Sequence, residues 1–374
     1  MEGTKPRTAS SLGMFDLLKG VGMLLIVFAH TSELYPVGDI STITPVTFFL
    51  FAYRESLMAA FYIASGYGFR KRSIGKCISQ QFKTLFKPYA YTGLATTIAH
   101  FVIHYKTFGN WNNAVYETYK VLGGFVLGLP HTATYFGQEF FSCGPMWYLL
   151  ALMIGWILLD IILNIFPESY IKWAVLGTML LGWGISLVWE APFCIAQGMV
   201  TVPYLYIGFL AKKKRLFEKK FRPLAILGLL AAALGVALGV LLTGKTDCVS
   251  LGEWTMGPVS ILLDGIVGLG FIVLFMKVQR LLDNPVTHLI EAVARRSLYI
   301  FCIHTVELTA VPWYLMVQKY AAAPTKGLWL QYAVSLGSIF LLCEILLRRR
   351  DVMLKFFPAR RRHFAEHKRY VAKH

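Results

Sequence analysis

Acidic residues are scarce in this sequence, 20 Asp and Glu against 37 Lys and Arg, and charged residues of both signs make up only 15% of the 374 positions. So thin a polar complement excludes an intrinsically disordered chain, a long coiled coil, and a soluble enzyme carrying one hydrophobic anchor. Internal repeats and low-complexity blocks are also lacking, as are the paired, Gly/Pro-broken spans in matching halves that point to a transporter. Six cysteines, at 77, 143, 194, 248, 302 and 343, show neither CxxC nor zinc-type spacing. What is abundant is apolar: 56% of the residues are A, V, I, L, M, F, W, Y or C, in stretches that recur along the whole chain. That is enough for roughly ten membrane spans of about 20 residues each.

The stretches predict ten helical spans, at 12–34, 47–69, 87–105, 145–166, 172–190, 192–211, 223–243, 254–276, 297–318 and 326–347. In lipid each backbone polar group must be satisfied within its own segment, and the period-2 alternation of barrel strands is absent, so the expected fold class is an all-α integral membrane protein. Ten spans bring both termini to one side. That side collects 30 of the 37 Lys and Arg, which by the positive-inside rule makes it cytoplasmic and the chain a multi-pass protein of the cell (plasma) membrane. Most of the +17 formal charge is therefore a topological collar rather than a nucleic-acid surface, and no nucleic-acid partner is expected.

The first span follows a polar dozen residues without a small-residue cleavage pattern after it, and reads as retained. Residues 1–347 read as one membrane domain and 348–374 as a basic cytoplasmic tail that contacts anionic lipid headgroups. In the long outer segment 106–144, Val121–Leu129 is too short to span and suits an interfacial or re-entrant piece. By this topology only Cys143 and Cys248 lie on the outer side; they are a candidate pair, the alternative being six unpaired thiols.

Ionisable side chains inside spans are costly unless they face a cavity or a partner, which makes each a candidate. In the first span Lys19 and His30 are eleven residues apart. At 100° per residue that is about 20° past three full turns, with a rise of about 16 Å, so both look toward one side of the helix. The alternative is a snorkelling Lys and a His hydrogen-bonded to a neighbouring helix. Asp16 lies one turn before Lys19, and Glu33, one turn beyond His30, can hold its ring. His304 with Glu307, and Asp264, are further intramembrane groups able to orient His30 or to bond between helices. Arg54 and Glu55 can pair with each other or contact an acceptor. His100 and His104 have the i,i+4 spacing of a metal pair but no third ligand in register, so no metal is expected.

The Lys19-x10-His30 pattern resembles the membrane-bound acyltransferase 3 family, whose first helix carries Arg or Lys ahead of a His. Phe61-Tyr-Ile-Ala-Ser-Gly-Tyr-Gly68, Gly144-Pro-Met-Trp-Tyr-Leu-Leu-Ala-Leu152 and Ser297-Leu-Tyr-Ile-Phe-Cys-Ile-His304 resemble the family's runs in the second, fourth and ninth spans. The Arg-x-x-Arg pair after the second span is not reproduced, and Leu152 stands near the place where many members carry Glu. That directs the resemblance to the sugar and polysaccharide O-acetyltransferase-like branch.

The resemblance implies an O-acyltransferase that moves an acyl group, most often acetyl, from cytoplasmic acyl-CoA to a hydroxyl of a glycan or lipid-linked sugar at the outer leaflet. It implies acetyl-CoA as a donor substrate and no permanently bound cofactor. His30 is then base or acyl acceptor, with Lys19. Lys19, Arg70, Arg72, Lys83 and Lys87 meet the CoA phosphates, the alternative for this loop being topology alone. Trp147, Glu33 and His304 face the acceptor. A membrane transporter or exporter of a polar metabolite or glycan is the second reading, and a membrane scaffold the third. The sequence sets no oligomeric state.

Overall fold

The computed structural model describes residues 12–35, 45–219, 223–282 and 284–356. Lys5, Arg7, part of the basic loop near 220 and most of the basic tail (357–374) lie outside the described residues. The first half of the chain forms α1 (Asp16–Ser32), α2 (Pro45–Ala52), α3 (Arg54–Gly68), α4 (Ile74–Gln81), α5 (Lys87–Phe108) and α6 (Trp111–Leu127). A small hairpin follows, β1 (Ala133–Tyr135) with β2 (Gln138–Phe140), and then α7 (Trp147–Ile165), α8 (Glu168–Val188) and α9 (Ile195–Lys213). The last third forms α10 (Pro223–Thr243), α11 (Pro258–Leu281), α12 (Pro285–Arg295), α13 (Ser297–Ala310), α14 (Tyr314–Lys319) and α15 (Pro324–Phe356).

Proline opens α2, α10, α11, α12 and α15, where its missing N–H is one that the first helical turn leaves unbonded anyway. Seven segments among the described residues are long and apolar enough to cross a membrane: 13–32, 144–165, 168–188, 192–213, 223–243, 258–281 and 324–349. The other three expected spans take different forms. Segment 47–69 is split at Tyr53 into α2 and α3. Segment 87–105 becomes the 22-residue α5, whose Lys87, His100, His104, Lys106 and threonines keep it outside those seven. Segment 297–318 stops at Ala310 after 14 residues, because Pro312 cannot continue the ladder, and resumes as α14.

One expectation needs correction. The stretch that begins at Val121 is not a separate piece but the end of the continuous 17-residue α6, which closes at Leu127. That helix is capped by the Asn110 side chain, which accepts from Asn113 N at 3.1 Å, and is closed by Gly128 at φ +62°. The all-α expectation holds, with one small addition: β1 and β2 pair antiparallel through a two-residue turn, Phe136-Gly137, in which both residues have positive φ. Tyr135 OH and the Glu190 carbonyl, and His131 Nε2 and Glu190 Oε1 at 3.0 Å, tie this hairpin region to the α8–α9 connection.

The main core cluster runs through α1, α3, α7, α9, α11 and α13, with two small satellites, one under the hairpin and one between α10 and α11. α9 packs against α3, α7 and α8, while α3 also packs on α11. α3 and α9 approach closely because Gly66 lies against the Leu205 carbonyl and Gly208 against the Ile63 carbonyl. A buried hydroxyl links α3 to α11: Ser56 Oγ donates to Asp264 Oδ1 at 2.5 Å. α1 lies against α12, α11, α13 and α15.

Cys143 and Cys248 are free thiols and do not pair. Cys143 is hydrogen-bonded to Cys194, whereas Cys248 Sγ lies 3.2 Å from Ser250 Oγ, so local packing directs the two sulfurs to different partners.

Candidate functional site

His30 lies in the last turn of α1 and Glu33 is the residue that caps it. One turn apart, their side chains meet, with His30 Nδ1 3.5 Å from Glu33 Oε2. The other carboxylate oxygen of Glu33 accepts from Arg54 Nη1 at 3.1 Å, and Arg54 Nε lies 3.8 Å from Glu55 Oε1. Arg54 is the first residue of α3, so the break at Tyr53 is what brings this guanidinium to the end of α1. Burial opposes ionisation of Glu33, but His30 and Arg54 outweigh it and hold the carboxyl below its usual range.

A second histidine faces the first. The His304 ring, on α13, has its centroid 5.6 Å from that of His30, at an interplanar angle of 37°. His304 is only 1% exposed; its Nδ1 lies 3.2 Å from Glu307 Oε2, and Glu307 Oε1 accepts from Ser335 Oγ of α15 at 2.6 Å. His304 Nε2 is buried without a hydrogen-bond partner. Two His-x-x-Glu rows, 30–33 and 304–307, thus sit on different helices with their rings together and a carboxylate behind each. A carboxylate on Nδ1 favours the Nδ1–H tautomer and leaves Nε2 as the proton acceptor. Among the described residues no group of three or more His, Cys, Asp or Glu is arranged to hold a metal ion.

His30 and Glu33 line a cavity of about 280 Å³. Arg54 and Glu55 supply its remaining charged groups, Trp147 and Tyr148 stand at the start of α7, and Phe271 and Phe275 of α11 form an apolar wall. Trp147 is 8% exposed and is held from behind by the core. The site has one charged side and a larger greasy side, a combination suited to an acyl chain carried on a polar headgroup.

The predicted donor-binding residues lie at the opposite end of the bundle. Lys19 shares α1 with His30, but the cavity reaches down α1 only to Leu25, and the nearest opposite charge to Lys19 is Asp16. Arg72 is pinned through its backbone: its N–H donates to Asp160 Oδ1 at 3.0 Å and its carbonyl accepts from Asn164 Nδ2 at 2.8 Å. Arg70 lies near Lys212, whose ammonium sits 6.0 Å from the Tyr67 ring centroid. Lys83 and Lys87 are exposed, four residues apart where α4 turns into α5. Asp264 bonds Ser56 and Asp247 and makes no contact with His30.

Ser335 and Asp160 are the residues that sequence reasoning missed. Asp160 carried a readable signal, an acidic residue in an otherwise apolar span. A serine such as Ser335 carries none, because hydroxyls are common at helix interfaces in membranes.

No curated protein and no solved structure matches the chain. Residues 13–348, nearly the whole chain, match the acyltransferase domain that defines the acyltransferase 3 family. With its apolar helices and this match over almost its full length, the protein belongs to the acyltransferase 3 family and is a multi-pass membrane acyltransferase.

Proposed function

We propose that the protein transfers an acyl group from cytoplasmic acyl-CoA, with acetyl-CoA the expected donor, to a hydroxyl of a glycan or lipid-linked sugar at the outer leaflet of the plasma membrane. The observation that carries this reading is the facing pair of histidines, 5.6 Å apart, with His30 on the wall of the cavity. In direct transfer, Nε2 of His30 takes the hydroxyl proton while the oxygen attacks the thioester carbonyl. The carbon–sulfur bond then breaks and the proton passes to the thiolate, leaving an ester and free CoA thiol. In the two-step order the same nitrogen attacks the thioester carbonyl, the carbon–sulfur bond breaks to release the CoA thiolate, and the acceptor oxygen then displaces His30 from the acyl carbon, its proton passing to the thiolate. Arg54, held by Glu33 and Glu55, puts positive charge beside the cavity where the carbonyl oxygen becomes anionic. Trp147 is a stacking face for the acceptor.

The CoA phosphates meet Lys83 and Lys87, with Arg70, Arg72 and Lys19 nearby at the same end of the bundle. The pantetheine arm then covers the roughly 16 Å of α1 that separates Lys19 from His30. The test is mass spectrometry of surface glycan from cells that express the wild type or no protein, paired with thiol release from acetyl-CoA by the purified protein in lipid discs. Acylated glycan and thiol release with the wild type alone support the reading. No thiol release from acetyl-CoA or any longer acyl-CoA sinks it.

The donor end makes a separate prediction. The double change Lys83→Glu, Lys87→Glu raises KM for acyl-CoA by roughly tenfold and leaves kcat nearly unchanged, because it removes ground-state attraction to the phosphates and nothing at the reacting carbon. The difference shrinks as salt is raised. An unaltered KM at low salt shows that these lysines serve topology alone.

A further inference from the structure

A second cavity, of about 410 Å³, opens beyond the outer end of α13 between α5, α6 and α14. We infer that it is a carbohydrate subsite, which holds the sugar portion of the acceptor while the reacting hydroxyl reaches His30. This rests on the reading of the acceptor as a glycan.

The walls carry the two kinds of group that sugars need. Phe108, at the end of α5, and Tyr314 of α14 present rings inclined by only 7° with centroids 6.4 Å apart, and both side chains are exposed. Parallel aromatic faces suit the C–H faces of a pyranose, as they suit other rigid amphipathic rings. Asn113 and Glu117 of α6, and His104 of α5, are planar groups aimed at the same space. A planar amide donates and accepts side by side and a carboxylate accepts twice, which matches adjacent hydroxyls.

These groups are positioned with bonding capacity to spare. Only one oxygen of Glu117 is taken, by Lys120 Nζ at 3.2 Å, and Lys120 itself lies 4.6 Å from the Tyr116 centroid and 5.3 Å from that of Phe141. Asn113 Nδ2 touches His104 Nε2 at 3.4 Å, while His104 Nδ1 is buried with no hydrogen-bond partner. His100 is occupied with Thr118 Oγ1 at 2.9 Å. The His104 ring, half-buried on the cavity wall, carries a nitrogen that a ligand hydroxyl satisfies once the ring turns.

Place also fits. Thr309 and Ala310 form the rim on α13, and Thr309 lies five residues beyond His304, roughly 7.5 Å along the helix. Phe301 of the same helix lines the His30 cavity, so both cavities open along α13, and a saccharide held at this rim presents its next unit toward that cavity. The charge balance, one carboxylate against one ammonium, favours a neutral polyhydroxylated ligand over a phosphate or a metal ion.

The experiment is saturation-transfer NMR on the full-length protein in lipid discs, with glucose, galactose, mannose, rhamnose and N-acetylglucosamine as probes. Wild type is expected to transfer saturation to at least one sugar, and Asn113→Ala with Glu117→Gln, or Tyr314→Ala, is expected to cut the signal by roughly tenfold at an unchanged melting temperature. Absence of transfer to every probe, or transfer that survives both variants, overturns the subsite. A separate outcome, sugar binding lost as expected while His30→Ala leaves thioester cleavage intact, keeps the subsite and removes the proposed chemistry.

Discussion

Replacing His30 with alanine is expected to lower kcat for acyl transfer by about three orders of magnitude, a loss of about 4 kcal/mol of transition-state stabilisation. Both orders of transfer need its Nε2, as base in one and as nucleophile in the other, so no alternative route rescues the variant. His304 does not substitute. It is buried with Glu307 behind it, on a different helix, and it does not line the cavity. His30→Gln keeps a polar group of similar reach without a base, and is expected to be as inactive as alanine. KM for acyl-CoA should change little, since the expected phosphate contacts lie at the far end of α1. Insertion should be spared, because alanine makes the span more apolar. Thiol release measured with a chromogenic disulfide on the purified variant decides the matter. A rate within tenfold of wild type shows that His30 is a structural residue and that the chemistry belongs elsewhere.

Much of the scaffold was legible because the bilayer leaves few options: long apolar runs have to be helices. The departures have local causes. Pro312, visible in the sequence, explains the early end of α13, whereas the break at Tyr53, after which Arg54 meets Glu33 and Glu55, has no such marker. The hairpin was hidden because Phe136 adopts a positive φ that its residue type does not favour; Gly137 alone is a weak signal.

At the site, helical spacing alone marked Glu33 as a partner of His30 and paired His304 with Glu307. That the two His-x-x-Glu rows face each other depends on how α13 is rotated against α1, and helix rotation is a tertiary property that one chain's spacing does not encode. Spacing also suggested that Lys19 and His30 share one lumen. They do share a helix, but the cavity ends at Leu25, since the lower part of α1 is packed against α12 at Gly20 and Ile290. The Lys and the His therefore share a helix but not a pocket.

The packing of the bundle makes the other large prediction. Gly208→Leu, or Gly66→Leu, is expected to remove most of the folded protein. At this crossing a Cβ on Gly208 runs into the Ile63 carbonyl and one on Gly66 into the Leu205 carbonyl. The obstacle on each side is main chain, so no rotamer change relieves it, and α3 and α9 have to separate. Overpacking with flexible neighbours costs about 1–3 kcal/mol; with rigid main chain the cost lies at or beyond the upper end, comparable to much of a protein's net stability. Gly177→Leu is the control, because nothing lies within 4 Å of a Cβ there. It should purify and melt like wild type, whereas Gly208→Leu should give little monodisperse protein in detergent. Separation of α3 also moves Arg54 away from Glu33, so the milder Gly208→Ala, if it folds, should lose acyl transfer out of proportion to its lowered melting temperature. Equal yield and equal melting of Gly208→Leu and Gly177→Leu contradict the close crossing, and with it the physical reason that Arg54 stands beside His30.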